Sequence, residues 1–348
     1  MRTSIRQVAE RAGVSAMTVS NVLRNRTERM APETRERVLS AVHALDYVPV
    51  RTAAQNRHVT TNVLGVVFIQ EMQGAVGYPT FLGMCARARQ IDHDLTILLR
   101  SEPDWVRPGT ESQFLDRRCD GFIFVGDSRP EISEALVRHQ IPIVECYSVR
   151  PPAGVARVLG DNFLGARMAT ERLIALGHRR LAHIAGPSGN LEAQERQAGF
   201  VAAMQGAGLP VPADCILPTD TWGDLWGFGT DHAKADSVGA ATVPVAEAAL
   251  GLDVTGIVCT NDLYALAVWR RAEEQGLRVP RDLSLTGVDD IVEARQRGLT
   301  SVALPFEEIG RAAVEAVMAM LGGQSAEDAS RVLPPRLVER ESIAAPRG

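Results

Sequence analysis

No stretch of the 348 residues approaches the roughly 18 consecutive apolar residues of a membrane span, and the N-terminus carries no apolar signal-peptide core. These two absences argue against a membrane-bound or exported protein. Five cysteines, Cys85, Cys119, Cys146, Cys215 and Cys259, lie far apart with no C-x-x-C pair, which fits reduced cytoplasmic thiols and argues against a disulfide frame or a zinc site. No P-loop, G-x-G-x-x-G, H-E-x-x-H or G-x-S-x-G follows any apolar run, and the seven histidines are scattered. The usual enzyme signatures are therefore missing, and neither catalytic residues, metal nor cofactor is expected. Lysine is almost absent too, Lys234 being the only one, an arginine bias that fits a GC-rich genome better than any special chemistry.

What is present is a soluble-type composition, 45% hydrophobic and 23% charged, in a chain long enough for two or three domains. The formal net charge of -5 divides unevenly. Residues 1–60 hold ten arginines against five acids, which leaves 27 basic and 37 acidic residues in the remainder. A basic N-terminal patch attracts phosphate, while an acidic remainder limits indiscriminate adhesion.

The basic segment contains IRQVAERAGVSAMTVSNVL, from Ile5 to Leu23. Val8, Ala9 and Ala12 form an apolar stripe at helical spacing, Gly13 ends it, and Ser15 is a good N-cap for a second stripe of Thr18, Val19, Val22 and Leu23. Two helices joined by a Gly-containing turn are the minimal DNA reader, although the spacing alone equally describes an ordinary helical hairpin. A basic loop, RNRTERM, leads to a third periodic segment in which Val38, Val42 and Leu45 share a face and Pro32 suits the first turn. Residues 49–62 then read, from composition, as a polar linker.

From Val63 the grammar changes. LGVVFI, LTILL, GFIFV, IPIVEC, LAHIAG, GIVCT and LSLTGV are short apolar runs suited to buried parallel strands, and they alternate with helical segments such as FLGARMATERLIALG and LYALAVWRRAEEQG. The pattern is α/β with enough strands for two successive sheets.

VAERAGVSAMTVSNVL closely resembles the DNA-binding headpiece of the lactose repressor family, and the resemblance extends from about Thr3 to Ser342. It implies a helix-turn-helix headpiece at 1–48, a hinge at 49–62 and a two-subdomain core at 63–345 of the type I periplasmic-binding-protein-like fold. The N-subdomain would take 63–161 and 292–322 and the C-subdomain 162–291 and 323–345, with crossings near Asn162, Val292 and Gly323. Ala16, Met17 and Asn21 would read bases, with Ser15, Thr18 and Ser20 holding phosphates. Arg51 and Ala53 fit the family's hinge helix, but Asn56 stands where relatives usually carry an apolar leucine wedge for the minor groove. The effector would be held by Arg196 in ERQAGF, Asn261 in CTND and Asp289 in TGVDD, with Trp222 stacking on it; a planar guanidinium suits vicinal hydroxyls or a carboxylate. His178, in LGHRR, reads as a residue that structures the turn before a strand.

The expected protein is thus a cytoplasmic homodimeric repressor that binds a palindromic double-stranded DNA operator under control of a sugar, sugar acid or related metabolite. AMTVSNVLRN and IPIVE resemble the gluconate-operon branch, which points to a sugar acid. Three departures bear on the ligand: the loop QEMQGAVGYP, Glu145 and Tyr147 where many relatives have an Asp, and an apparent insertion, GTDHAKADSVGAAT. The competing readings are a sugar-binding transport protein, a dehydrogenase on Rossmann-like sheets, and a regulator answering to a protein partner.

Overall fold

The computed structural model describes residues 5–23, 30–45, 60–68, 76–99, 114–115, 118–126, 128–219 and 242–347. The chain divides into two compact units, Met1–Thr61 and Asn62–Gly348. In the first, α1 (Ile5–Ala12), α2 (Ala16–Leu23) and α3 (Pro32–Ala44) enclose Val8, Ala9, Ala12, Val19, Val22, Val38 and Ala41. The α1–α2 turn follows from Gly13, whose φ of 64° lets its N–H reach the Glu10 carbonyl while the Val14 N–H reaches Ala9. That pair of bonds is the Schellman arrangement, which satisfies carbonyls a helix end leaves open. Ser15 then caps α2, its Oγ accepting from the Thr18 N–H at 3.0 Å.

The second unit runs β1 (Val63–Phe68), α4 (Gly77–Gln90), β2 (Asp94–Leu99), β3 (Gly121–Val125), α5 (Pro130–Arg138), β4 (Ile143–Cys146) and β5 (Ala156–Gly160). It continues with α6 (Asn162–Ala175), β6 (Leu181–Pro187), α7 (Leu191–Gly206), β7 (Ile216–Thr219), a helix α8 at 242–250, β8 (Gly256–Cys259) and α9 (Asp262–Glu274). The last elements are β9 (Ser284–Val288), α10 (Val292–Arg297), β10 (Thr300–Ala303), α11 (Phe306–Leu321), α12 (Ala326–Ala329), β11 (Arg331–Leu333) and β12 (Arg336–Val338).

The strands form two six-stranded sheets of one design, β2-β1-β3-β4-β5-β11 and β7-β6-β8-β9-β10-β12. Every pairing is parallel except β10 with β12. The apolar runs supply the buried strands, as in β1, where Leu64, Val66, Val67 and Phe68 are all buried. In each sheet the order reverses around one strand, β1 or β6, and such a reversal opens a crevice beyond the strand C-termini.

The crossings between sheets correct the expected subdomain limits. The chain passes from the first sheet to the second between Gly160 and Asn162, returns after Ala303 rather than near Val292, and leaves again after Leu333 rather than near Gly323. α10 stays with the second sheet because it connects β9 to β10, which pair side by side. α11 belongs to the first sheet's layer: Gly83 of α4 and Gly310 of α11 allow so close a crossing that a Cβ on Gly310 would collide with the Thr80 carbonyl and one on Gly83 with that of Glu307. Pro305 and the pair Pro334–Pro335 stand at the two later crossings.

Candidate functional site

The second sheet brings Arg196, Asn261 and Asp289 to the ends of three of its strands. Arg196 lies in the second turn of α7, which follows β6 and is capped by Asn190, whose side chain accepts from the Ala193 N–H at 2.9 Å. Asn261 stands two residues beyond the end of β8 and caps α9, its Oδ1 accepting from the Tyr264 N–H at 3.0 Å. Asp289 follows β9 in a left-handed conformation, φ 104°, and Asp290 is left-handed as well, φ 54°. Two successive non-glycine residues in that region are strained, so the surroundings must hold them.

They are held by a buried polar network. Asp262 accepts from the Ile291 N–H at 2.9 Å and from the Ser301 hydroxyl at 2.5 Å. Ser301 Oγ in turn accepts from the Asp290 N–H at 3.0 Å, and the Asp290 carboxylate takes Arg340 at 2.6 Å and Arg295 at 3.1 Å. Burial, with the charges of Asp289 and Asp290 adding to it, pushes the Asp262 carboxyl well above its ordinary value. The network holds the backbone that follows Asp289, whose own N–H donates to the Val302 carbonyl at 2.8 Å.

Arg196 is 5% exposed and almost wholly engaged. Its Nε donates to Asn162 Oδ1 at 2.8 Å, Nη1 to the Thr260 carbonyl at 2.5 Å, and Nη2 lies 3.7 Å from Asp289 Oδ1. Asn162, the first residue of α6, also donates from Nδ2 to Glu192 Oε1 at 3.3 Å. Burial pushes the Asp289 carboxyl up to about 6 against the opposing pull of Arg196. Beneath the cluster His183 is fully buried, stacked on Phe200 at 5.0 Å, and held neutral: burial lowers it to about 4, and the Arg196 charge adds to the effect.

After these engagements two groups keep unused hydrogen-bonding capacity. Among the described residues the Asn261 amide nitrogen makes no hydrogen bond, and the Asp289 carboxylate is ion-paired with Arg196 at 3.7 Å, beyond hydrogen-bonding distance. A donor and a paired acceptor beside a guanidinium are what hydroxyl groups on a small ligand require.

The first sheet contributes differently. Glu145 is buried and turned into its own lobe, where its Oε1 accepts from the Ser128 N–H at 3.0 Å and from the Ser128 hydroxyl. Tyr147 follows β4, and the carboxylates of Glu192 and Asp289 are near enough to raise its phenol, after burial and Cys146. Sequence reasoning missed the roles of Asn162, Glu192 and the Thr260 carbonyl. His178 ties the tail to the turn before β6, with Nδ1 against the Thr255 hydroxyl at 2.8 Å and Nε2 against the Ala344 carbonyl at 2.9 Å.

In the headpiece, Ser15, Ala16, Met17, Thr18, Ser20 and Asn21 all lie at or within α2, with Met17 70% exposed and the helix's buried side given to Val19 and Val22. Arg51, Ala53, Asn56 and Trp222, with the insertion around Lys234, lie outside the described residues.

A helix-turn-helix unit followed by a two-lobed core with a polar crevice defines a class: a DNA-binding regulator built to sense a small molecule. Residues 4–50 match the bacterial regulatory proteins, lacI family; 79–221 match the periplasmic binding proteins and sugar binding domain of the LacI family; and 170–343 match the periplasmic binding protein-like domain. The HTH-type transcriptional regulator DegA of Bacillus subtilis (strain 168) is 30% identical over 358 residues, 99% of both chains. The lac repressor dimer bound to operator and the anti-inducer ONPF superposes with a TM-score of 0.77 at 25% identity, covering 99% of this chain and 100% of that one. A complex of the regulator CelR with cellobiose gives 0.67 at 27% identity over 98% of this chain and all of the other. The chain belongs to the lacI family of bacterial transcriptional regulators, and its relatives are regulators rather than enzymes. Among the described residues no helix is long and apolar enough to cross a membrane.

Proposed function

We propose that this regulator is a cytoplasmic homodimer that represses a carbohydrate or sugar-acid catabolic operon, and that an effector bound between its two lobes sets its affinity for a palindromic operator. The observation that carries the reading is the convergence of Arg196, Asn261 and Asp289 at the strand ends of the second sheet, where Arg196 sits 3.7 Å from Asp289. Asn261 donates to ligand hydroxyls, Asp289 accepts from them, and Arg196 holds Asp289 and Asn162 in place. Trp222 stacks on the ligand. The cellobiose complex of a relative supports the carbohydrate class.

On the DNA, Ala16 and Met17 touch thymine methyls, Asn21 reads a base edge, and Ser15, Thr18 and Ser20 position the helix on phosphates. Arg51, Ala53 and Asn56 belong to a hinge that enters the minor groove, where Asn56 kinks the duplex less than an apolar wedge because an amide loses its water between stacked bases. The regulator is tested with a thermal-shift panel of neutral sugars, sugar acids and amino sugars on wild type and on Asp289→Asn. One carbohydrate class raises the wild-type melting temperature, as any ligand of the native state does, and the variant loses that shift. A panel without a hit, or a hit that Asp289→Asn retains in full, removes the reading.

A further inference from the structure

Tyr147 departs from everything around it. It is a bulky residue in a left-handed conformation, φ 72°, and its backbone N–H donates to the Val158 carbonyl at 3.1 Å. Such a conformation is costly for a residue with a Cβ and survives only where surrounding contacts impose it. Two contacts do so. The hydroxyl bonds to Thr80 Oγ1 in the first full turn of α4, and the ring meets Phe306 edge-on at 6.2 Å where α11 begins.

The direction of the Thr80 bond can be assigned. Threonine has one hydroxyl proton, and Thr80 gives it to the Val76 carbonyl at 2.7 Å. Thr80 is then the acceptor and Tyr147 the donor. Tyrosine also has one proton, so an acceptor inside the crevice competes with Thr80 for it. Thr80 is a sensitive place to lose a bond, because its carbonyl lies directly under Gly310 in the closest part of the α4–α11 crossing. A shift at Thr80 is felt by both helices, since packed helices respond as stiff bodies.

We infer that Tyr147 is a positioning residue that ties the state of the crevice to helix α4 by giving its single hydroxyl proton either to Thr80 or to an acceptor in the crevice. The inference rests on the crevice being the effector site. Glu192 is a built-in carboxylate of the crevice: it accepts from Asn162, and its charge bears on the Tyr147 phenol.

The test is hydrogen–deuterium exchange of the α4 amides, residues 77–84, in the full-length protein with no ligand added, using Glu192→Gln as the perturbation of the crevice. Tyr147→Phe and Thr80→Val each speed exchange there about tenfold, the loss of one net hydrogen bond, while Thr80→Ser, which keeps the hydroxyl, stays within about twofold of wild type. Glu192→Gln weakens the competing acceptor, so it slows exchange about threefold in the wild type and not at all in Tyr147→Phe. Should Tyr147→Phe fail to fold, Thr80→Val carries the same cycle from outside the crevice. An equal response to Glu192→Gln in both backgrounds, or wild-type exchange in Tyr147→Phe, overturns the inference. Because no effector is used, a failed ligand screen and a failed exchange cycle are separate results.

Discussion

The two lobes share a strand order and differ in what they place at their strand ends. The second lobe presents Arg196, Asn261 and Asp289, with a strained turn at Asp289–Asp290 held by Asp262, Ser301 and Arg340. The first turns its carboxylate, Glu145, back onto Ser128 and meets the crevice with Tyr147. Among the described residues, one sheet design thus carries a buried ion pair beyond the strands of the second lobe and a tyrosine beyond those of the first. The fold supplies the crevice and the side chains decide which wall does the binding, as expected when function is a site carried on a widely used fold.

The comparison breaks most severely where the charged wall loses its centre. Arg196→Leu leaves Asn162 Oδ1, the Thr260 carbonyl and Asp289 without their common donor, and breaking a buried pair in this way costs about 3 to 5 kcal/mol. Urea denaturation at pH 7.5 measures it. A loss under about 1 kcal/mol would mean that the second lobe is no more dependent on its charges than the first.

Next in size are the glycines that let helices cross in each lobe. In the first lobe Gly310→Ala drives a methyl into the Thr80 carbonyl, and in the second Gly199→Ala drives one into that of Phe163. Both variants are expected to lose about 3 kcal/mol, since backbone cannot step aside as a flexible side chain can. Similar losses in the two variants, read from the same denaturation experiment, show that the lobes are alike in packing where they differ in charge. A neutral outcome at either site contradicts the crossing described there.

Asp289→Asn sharpens the contrast through pH. A carboxyl whose pKa is raised on folding binds its proton more tightly in the folded state, so ionising it costs stability. For Asp289 that loss sets in as pH rises past the ordinary 3.8 and is complete above about 6. The asparagine variant should therefore be more stable than wild type at pH 7.5, by up to about 3 kcal/mol at 1.4 kcal/mol per pKa unit, with the advantage gone below about pH 4. Melting temperatures across that range check the sign, and a variant less stable than wild type at pH 7.5 would show that the Asp289 charge is welcome where it sits.

The smallest effect belongs to the headpiece. A Cβ on Gly13 meets nothing within 4 Å, so Gly13→Ala isolates the backbone cost of φ 64°, about 1 kcal/mol. Circular dichroism of the headpiece helices on heating reads it.

The sequence was most legible where one residue's chemistry decides the local structure. The α1–α2 turn follows from Gly13 and Ser15, and β1, β3, β6, β8 and β9 follow from apolar runs buried on both faces. β5, β7, β10, β11 and β12 leave little trace in the sequence because they are short and carry Arg157, Thr300, Ser301, Arg331 or Arg336, or sit half-exposed at an edge, so that pairing partners rather than composition make them strands. The misplaced crossings have a related cause. Pro305 and Pro334–Pro335 were visible, but which sheet a short strand joins is a long-range property.

In the crevice Arg196, Asn261 and Asp289 were identified through resemblance, whereas the structure alone brings Asn162, Glu192 and the Thr260 carbonyl to them. A backbone carbonyl leaves no trace in a sequence. Tyr147 was visible as a departure, yet its pairing with Thr80 spans 67 positions.

The claim that the charged wall of the second lobe is where the regulator senses its effector is tested most directly by operator affinity. Full-length wild type and Asp289→Asn would be titrated against a duplex selected from a random-sequence pool, with and without the carbohydrate that scores in the thermal-shift panel. Wild-type affinity should change about tenfold or more on adding that carbohydrate, and Asp289→Asn should bind the duplex as wild type does while showing no change. An Asp289→Asn protein that answers the carbohydrate as wild type does would contradict the account.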